Sequence, residues 1–301
     1  MKNISNGIWA TMITPFTDDN KIDYDAVDIL IDWYINNGID GIFAVCQSSE
    51  MFWLSFEERY ELAKYIINAV AGRVEVIVCG NVEEDIDTQI KEARAFADLS
   101  PEAVVFVSNR FELGGHSFIG SVDKIINAMP KEMALGIYEC PYPTKRLLTG
   151  NECEYLVKTG RFIFLKDTSC DVDTMRRRTA IASGTQFKVY NANAATLYDT
   201  LSFGYNGYCG VMANFHPDLY SWLYSNLNDE KAKKVEKYLS LMSVIESRGY
   251  PYCAKRYLSL CEGLKINTLC RSIANAHTSS LDYEFKALYD ISQEIRHYIN
   301  T

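Results

Sequence analysis

The chain has no Cys-x-x-Cys pair, and its nine cysteines and four histidines lie scattered through 301 residues. That spacing offers no zinc-ligand set. An odd number of unclustered cysteines also gives no disulfide framework, so reduced thiols are expected. No apolar run is long enough to span a bilayer, and the segment from Met1 to Thr14-Pro15 lacks the apolar core of an export signal. The expectation is a soluble, cytoplasmic protein. Positive charge is in the minority: 30 Lys+Arg against 39 Asp+Glu leave a net −9, so nucleic acid and anionic membranes are not expected partners. The one basic run, Arg176-Arg177-Arg178, falls in a helix-period stretch and reads as a solvated face. No Gly-x-Gly-x-x-Gly follows a first strand and no Gly-x-x-x-x-Gly-Lys occurs, which argues against an open doubly wound sheet.

What the chain has is 48% hydrophobic residues, enough for one large core, arranged in a regular alternation. Short apolar runs that read as buried strands occur at Ile8–Ile13, Gly41–Val45, Val74–Cys79, Ala103–Val107, Ala134–Tyr138, Phe162–Leu165, Phe187–Tyr190 and Gly207–Val211. Helix-period segments separate them, such as Val27, Leu30, Ile31 and Tyr34. Ser55-Phe-Glu-Glu58 predicts a capping box opening a helix that can end at Gly72. Strands and helices in this rhythm predict an α/β fold, a closed (β/α)8 TIM barrel, over residues 1–228. After Asn228 strands stop. Tyr238, Leu241, Met242 and Ile245 mark one helix, Tyr252 to Cys261 a second, and Leu288, Ile291, Ile295 and Ile299 a third. These have too little apolar surface to stand alone, so residues 229–301 are expected to pack on the barrel as a helical extension.

In such a barrel the C-terminal strand ends build the site, so residues distant in sequence can converge there. Lys166 closes the apolar run Arg161-Phe-Ile-Phe-Leu-Lys166. Burial disfavours an ammonium ion, and a free amine attacks a ketone carbonyl to form an imine. The plainer alternative is a snorkelling lysine paired with Asp167. Tyr138 ends the preceding strand and can be read as a proton donor or as a packed aromatic in a chain with 20 tyrosines.

Four segments together resemble the dihydrodipicolinate synthase and N-acetylneuraminate lyase family. They are Thr14-Pro15-Phe16, a polar loop ending in Glu50, Tyr138-x-x-Pro141, and Lys166-Asp-Thr-Ser169. Phe203-Gly-Tyr-Asn-Gly-Tyr-Cys-Gly210, followed by Ala213-Asn214, is similar to that family's glycine-rich eighth-strand segment. The resemblance covers nearly the whole chain. It implies a class I aldolase with no metal and no organic cofactor, in which Lys166 forms an imine with a pyruvate-type 2-oxo acid and Tyr138 moves the proton. It also implies a homo-oligomer, a homotetramer or homodimer. Ser48 is the third catalytic candidate, able to give its hydroxyl to the proton relay or to a carboxylate. Gln47, Ser49, Asn193, Gly210 and Val211 are candidate substrate contacts.

The departures from the family pattern bear on specificity. Its Gly-Thr-Thr-Gly-Glu loop reads Cys46-Gln47-Ser48-Ser49-Glu50 here, and Ser49 in place of glycine is expected to alter the loop backbone. Glu50 reads as a structural anchor, because another negative charge would oppose a carboxylate substrate. The synthases place an arginine just after Tyr-x-x-Pro, where this chain has Tyr142 and Pro143, with Lys145 and Arg146 only later. Their second tyrosine is matched by Ser108, and the sugar-gripping Asp-Glu pair of the sialic acid lyases by the stretch Asn191 to Ala195. The expected reaction is therefore carbon–carbon cleavage or formation on a sugar-derived 2-keto-3-deoxy acid. The alternatives are a Schiff-base dehydratase, either parent activity itself, or a non-catalytic barrel that binds a 2-oxo acid.

Overall fold

The computed structural model describes residues 3–273 and 278–301. Two residues of the N-terminal segment and His277, one of the four histidines, lie outside them. Eight parallel strands close into a barrel in chain order, β1 pairing with β8. They are β1 Gly7–Thr11, β2 Gly41–Ala44, β3 Glu75–Cys79, β4 Ala103–Val107, β5 Leu135–Tyr138, β6 Phe162–Asp167, β7 Lys188–Asn191 and β8 Gly207–Tyr208. The helices between and after them are α1 Tyr24–Asn36, α2 Phe56–Val70, α3 Ile86–Asp98, α4 Phe118–Ala128, α5 Gly150–Thr159, α6 Val172–Ala182, α7 Leu197–Ser202 and α8 Pro217–Ser225. The extension carries α9 Ala232–Met242, α10 Tyr252–Leu260 and α11 Ser279–Asn300.

The sequence signals act where the chemistry says they should. Ser55 and Glu58 form the capping box of α2, whose buried stripe is Arg59, Leu62, Ala63, Ile66 and Val70. The helix stops at Val70, two residues short of Gly72, because Ala71 already takes the left-handed conformation at φ 50°. The eighth strand is shorter than expected: after Tyr208 the chain leaves the ladder, and Val211 begins a 3-10 turn, Val211–Asn214. Strand six is longer and includes both Lys166 and Asp167.

Side chains alternate in and out of the barrel along each strand, and the inner set forms an aromatic layer. Trp9, Phe43, Phe164 and Tyr190 meet with ring centroids 4.9 to 6.0 Å apart. Glycine at position 41 makes room for it, since a Cβ there would lie 2.5 Å from the Trp9 ring.

The extension packs on the barrel with two corrections to the expected stripes, one of them in α11, where Ile291 is exposed and Leu281, Phe285, Leu288 and Ile295 are buried. Helix α9 buries Ala232, Val235, Tyr238 and Leu239, while Leu241 is 63% exposed. The α period ends at Met242 and a 3-10 turn, Ser243–Ser247, follows, which shifts the phase and brings Ile245 inward. A buried ion pair ties the extension to the barrel: Lys255 of α10 donates to Glu50 at 2.8 Å. The other Glu50 oxygen accepts from the backbone amides of Arg271 and Ser272 at 2.6 and 2.7 Å. Glu50 thus anchors the loop after β2, and its remaining lone pairs are served as a buried charge requires. All nine cysteines are free thiols. Among the described residues no helix is long and apolar enough to cross a membrane, and no cluster of His, Cys, Asp and Glu is placed to hold a metal ion.

His216, at the start of α8, is fully buried and lies parallel to Tyr220, and among the described residues neither ring nitrogen has a hydrogen-bond partner. Burial pushes its pKa down to about 3, with Asp218 opposing the shift and Arg296 adding to it. In the unfolded chain the ring takes a proton near pH 6.5, so between about 6.5 and about 3 the unfolded state binds more protons. Stability should therefore be fully present above pH 6.5 and fall with acid, by up to about 1.4 kcal/mol per pH unit from this group. Chemical denaturation of wild type and His216→Phe between pH 4 and 7 checks it: the variant should lose that part of the slope. Equal slopes would show that His216 is not held neutral.

Candidate active site

Strands β5 and β6 bring the two principal candidates side by side, with Tyr138 in register with Lys166. Both point into the barrel mouth above the aromatic layer, and each is only 3% exposed. The Lys166 amine lies 4.4 Å from the Tyr138 ring centroid and 5.8 Å from that of Phe43. Among the described residues no carboxylate lies within ion-pair distance of it. The expected alternative partner, Asp167, sits one residue on and faces the opposite side of the sheet.

There Asp167 joins a buried network behind the strands. Arg178 of α6 reaches Glu139 with both terminal nitrogens and Asp167 at 2.6 Å. Tyr205 donates to Asp167 at 2.6 Å. Glu139 also accepts from the backbone amides of Leu148 and Thr168 at 2.7 and 3.0 Å. Burial pushes the Glu139 carboxyl up, and the Arg178 guanidinium opposes that. One cation thus clamps the residue after Tyr138 and the residue after Lys166. This corrects the reading of the basic run: Arg176 and Arg177 are solvated, but Arg178 is buried. Its signal was phase, since Arg178 lies one turn beyond Met175 on the inward face of α6.

The Tyr138 hydroxyl donates to the Gln47 side-chain oxygen at 3.2 Å, and the Cys140 thiol donates to the same oxygen at 3.3 Å. Burial lifts the phenol well above its ordinary range, with the thiols of Cys140 and Cys46 adding to the shift. The side chain bonded to the Tyr138 hydroxyl is therefore that of Gln47. Ser48 instead donates to the Thr11 hydroxyl at 3.1 Å, and Asn214 joins that cluster by donating to the Thr11 carbonyl and to the Tyr250 hydroxyl, both at 3.0 Å.

These groups surround a cavity of about 410 Å³ whose wall includes Gln47, Ser48, Asn193, Gly210 and Val211 with Lys166 and Tyr138. Gly210 leaves space at the β8 exit, because a Cβ there would lie 2.2 Å from the Tyr208 hydroxyl and 2.6 Å from the Ala192 carbonyl oxygen. Ser49 is the exception among the expected contacts. It is buried away from the cavity, and its hydroxyl bonds the Met12 carbonyl at 2.6 Å. The loop backbone strain also falls elsewhere, on Val45 and Glu50 with φ of 50° and 61°. Ser108, matched to the family's second tyrosine, donates to the Arg146 carbonyl at 2.7 Å. Two further wall residues, Glu246 and Tyr250, come from the extension. Nothing local in sequence marks either, since only the docking of the extension brings them to the mouth.

An amine and a phenol on neighbouring strand ends, above an aromatic floor in a closed (β/α)8 barrel, form the arrangement of a class I, Schiff-base aldolase. The model of the Dihydrodipicolinate synthetase family matches residues 4–288, and the chain belongs to that family. The 4-hydroxy-tetrahydrodipicolinate synthase of Clostridium perfringens is 25% identical over 265 residues, covering 87% of this chain and 84% of its own. That of Staphylococcus carnosus is 25% identical over 237 residues, 78% of each chain. Among solved structures, the prophage protein YagE of E. coli K12, in complex with pyruvate, superposes with a TM-score of 0.86. Its identity is 22%, over 97% of this chain and 98% of its own. The Acinetobacter baumannii dihydrodipicolinate synthase complexed with pyruvate gives 0.82 at 20% identity, over 95% and 98%.

Proposed function

We propose that this protein is a Schiff-base lyase or aldolase for a pyruvate-type 2-oxo acid, with Lys166 as the nucleophile and Tyr138 as the proton-transfer group. The observation that carries this is the buried Lys166 amine, free of any carboxylate partner among the described residues and 4.4 Å from the Tyr138 ring centroid. Pyruvate bound to two structural relatives supports the same substrate class. The amine adds to the carbonyl carbon and loses water, giving a protonated imine that accepts electrons. Breaking the bond between C3 and C4 sends its electron pair into the imine as an enamine, while the C4 hydroxyl loses its proton and leaves as an aldehyde. In the reverse direction the Tyr138 phenol protonates the aldehyde oxygen as the enamine attacks. The Ser48 hydroxyl on the cavity wall suits the acid's carboxylate end.

A sugar-derived 2-keto-3-deoxy acid is the best-supported substrate. Ser108, Tyr142 and Pro143 stand where the synthases carry a tyrosine and an arginine, and Asn191 to Ala195 offers no Asp-Glu pair. A site lacking the partners a polar substrate needs can lose several powers of ten in selectivity. The test is borohydride reduction in the presence of pyruvate, followed by mass measurement and peptide mapping. A single adduct on Lys166 is expected. No adduct, or one on another lysine, would sink the reading.

A further inference from the structure

The extension contributes Glu246, Ser247 and Tyr250 to the cavity wall, and it places a charge there that the reaction at Lys166 does not use. Glu246, in the 3-10 turn Ser243–Ser247, is the one acidic residue on the cavity wall among the described residues. The buried acids described above are satisfied, Glu50 by Lys255 and two amides, Glu139 and Asp167 by Arg178, whereas Glu246 is exposed at the cavity mouth. Glu246 has no hydrogen bond or ion pair to any described residue. The turn that carries it is held firmly, with Ile245 buried and Tyr250 receiving the Asn214 amide at 3.0 Å. Burial pushes its carboxyl up, and the opposing influence is the Lys166 amine across the cavity. An exposed carboxylate on the cavity wall, with no partner among the described residues, is free to accept hydrogen bonds from a ligand.

We propose that Glu246 selects the distal end of the substrate, accepting hydrogen bonds from hydroxyl groups beyond the reacting carbonyl and rejecting a second carboxylate there. This rests on the Schiff-base reading of Lys166 and adds to it a substrate class: 2-oxo acids with a neutral, polyhydroxylated tail. Lys145 also lines the mouth and would favour a distal carboxylate; its side chain and that of Glu246 are both exposed, where water and salt weaken their pull. The Glu246 carboxyl feels the Lys166 amine across the cavity, which puts it within electrostatic reach of a bound substrate.

Two six-carbon probes differ only at the far end: a 2-keto-3-deoxyhexonate ending in a CH2OH group and the corresponding 2-keto-3-deoxyhexarate ending in a carboxylate. Each can form an imine, so borohydride trapping measures selection without requiring turnover. Wild type should be trapped about 10- to 100-fold faster by the hexonate, the range for a hydrogen bond to a charged group. Glu246→Gln keeps the shape, removes the charge and should bring the ratio down at least about 10-fold toward one. A ratio unchanged in Glu246→Gln, or a wild type that prefers the hexarate, would overturn the proposal and give the distal end to Lys145. Pyruvate separates the two failures. Trapping of wild type by pyruvate with an unchanged probe ratio removes Glu246 alone, whereas no trapping by pyruvate removes the Schiff-base reading and this proposal with it.

Discussion

Lys166→Ala should abolish borohydride-dependent labelling by pyruvate and lower turnover of the true substrate by on the order of 10⁴-fold or more, the scale for losing a covalent nucleophile. On the proposed reading the Lys166 amine forms the imine, since Lys145, the other amine lining the cavity, is exposed at its mouth. Lys166→Arg should be equally inactive, because a guanidinium stays protonated and cannot add to a ketone. Folding is a separate matter. The amine makes no ion pair among the described residues, so the alanine variant loses no buried charge partner, and its far-ultraviolet circular dichroism should match wild type. Residual turnover within about tenfold of wild type in the folded variant would show that the imine forms elsewhere or not at all.

Tyr138→Phe is the second large effect. It keeps the ring, including the edge contact with Phe43 at 5.7 Å between centroids, and removes the hydroxyl that donates to Gln47 at 3.2 Å. Turnover should fall by about 10²–10⁴-fold, the usual contribution of a positioned acid or base. Imine formation with pyruvate should continue at a reduced rate, since the lysine is intact. Steady-state kinetics and trapping on one preparation distinguish the steps. Unchanged turnover would return Tyr138 to the role of a packed aromatic. The lost hydrogen bond is to a neutral amide, worth about 1 kcal/mol, so the melting temperature should move by only a few degrees.

Much of the site was legible because strand ends are local. The run from Phe162 to Leu165 is apolar for a reason internal to itself, its burial on both faces, and the side chain that follows at Lys166 is delivered by the two-residue period. The same reasoning located Tyr138 one strand earlier. It did not decide what each group touches. Gln47 and Ser48 are adjacent in a 3-10 turn, and which of them meets Tyr138 depends on the turn's rotation against β1, where Ser48 finds Thr11. Ser49 was expected at the substrate and instead holds the Met12 carbonyl, for the same reason.

Charge was the least legible property. Arg176, Arg177 and Arg178 are identical in sequence, yet a helix turns about 100° per residue and only Arg178 faces the sheet, where two carboxylates need it. Glu50 was placed correctly as an anchor by an argument about repulsion, while its partner Lys255 lies 205 residues away and could not be named. The alternation of strands and helices, the closed barrel, the family, and the two side chains at adjacent strand ends were all legible, because each follows from periodicity and from short segments that act locally. The neighbours of those side chains were not, because they come from distant parts of the chain. The Arg178 clamp, the Gln47 contact and the arrival of Glu246 and Tyr250 at the mouth all depend on how distant segments rotate and dock, which hydrophobic burial and buried charge pairing settle after the chain has closed.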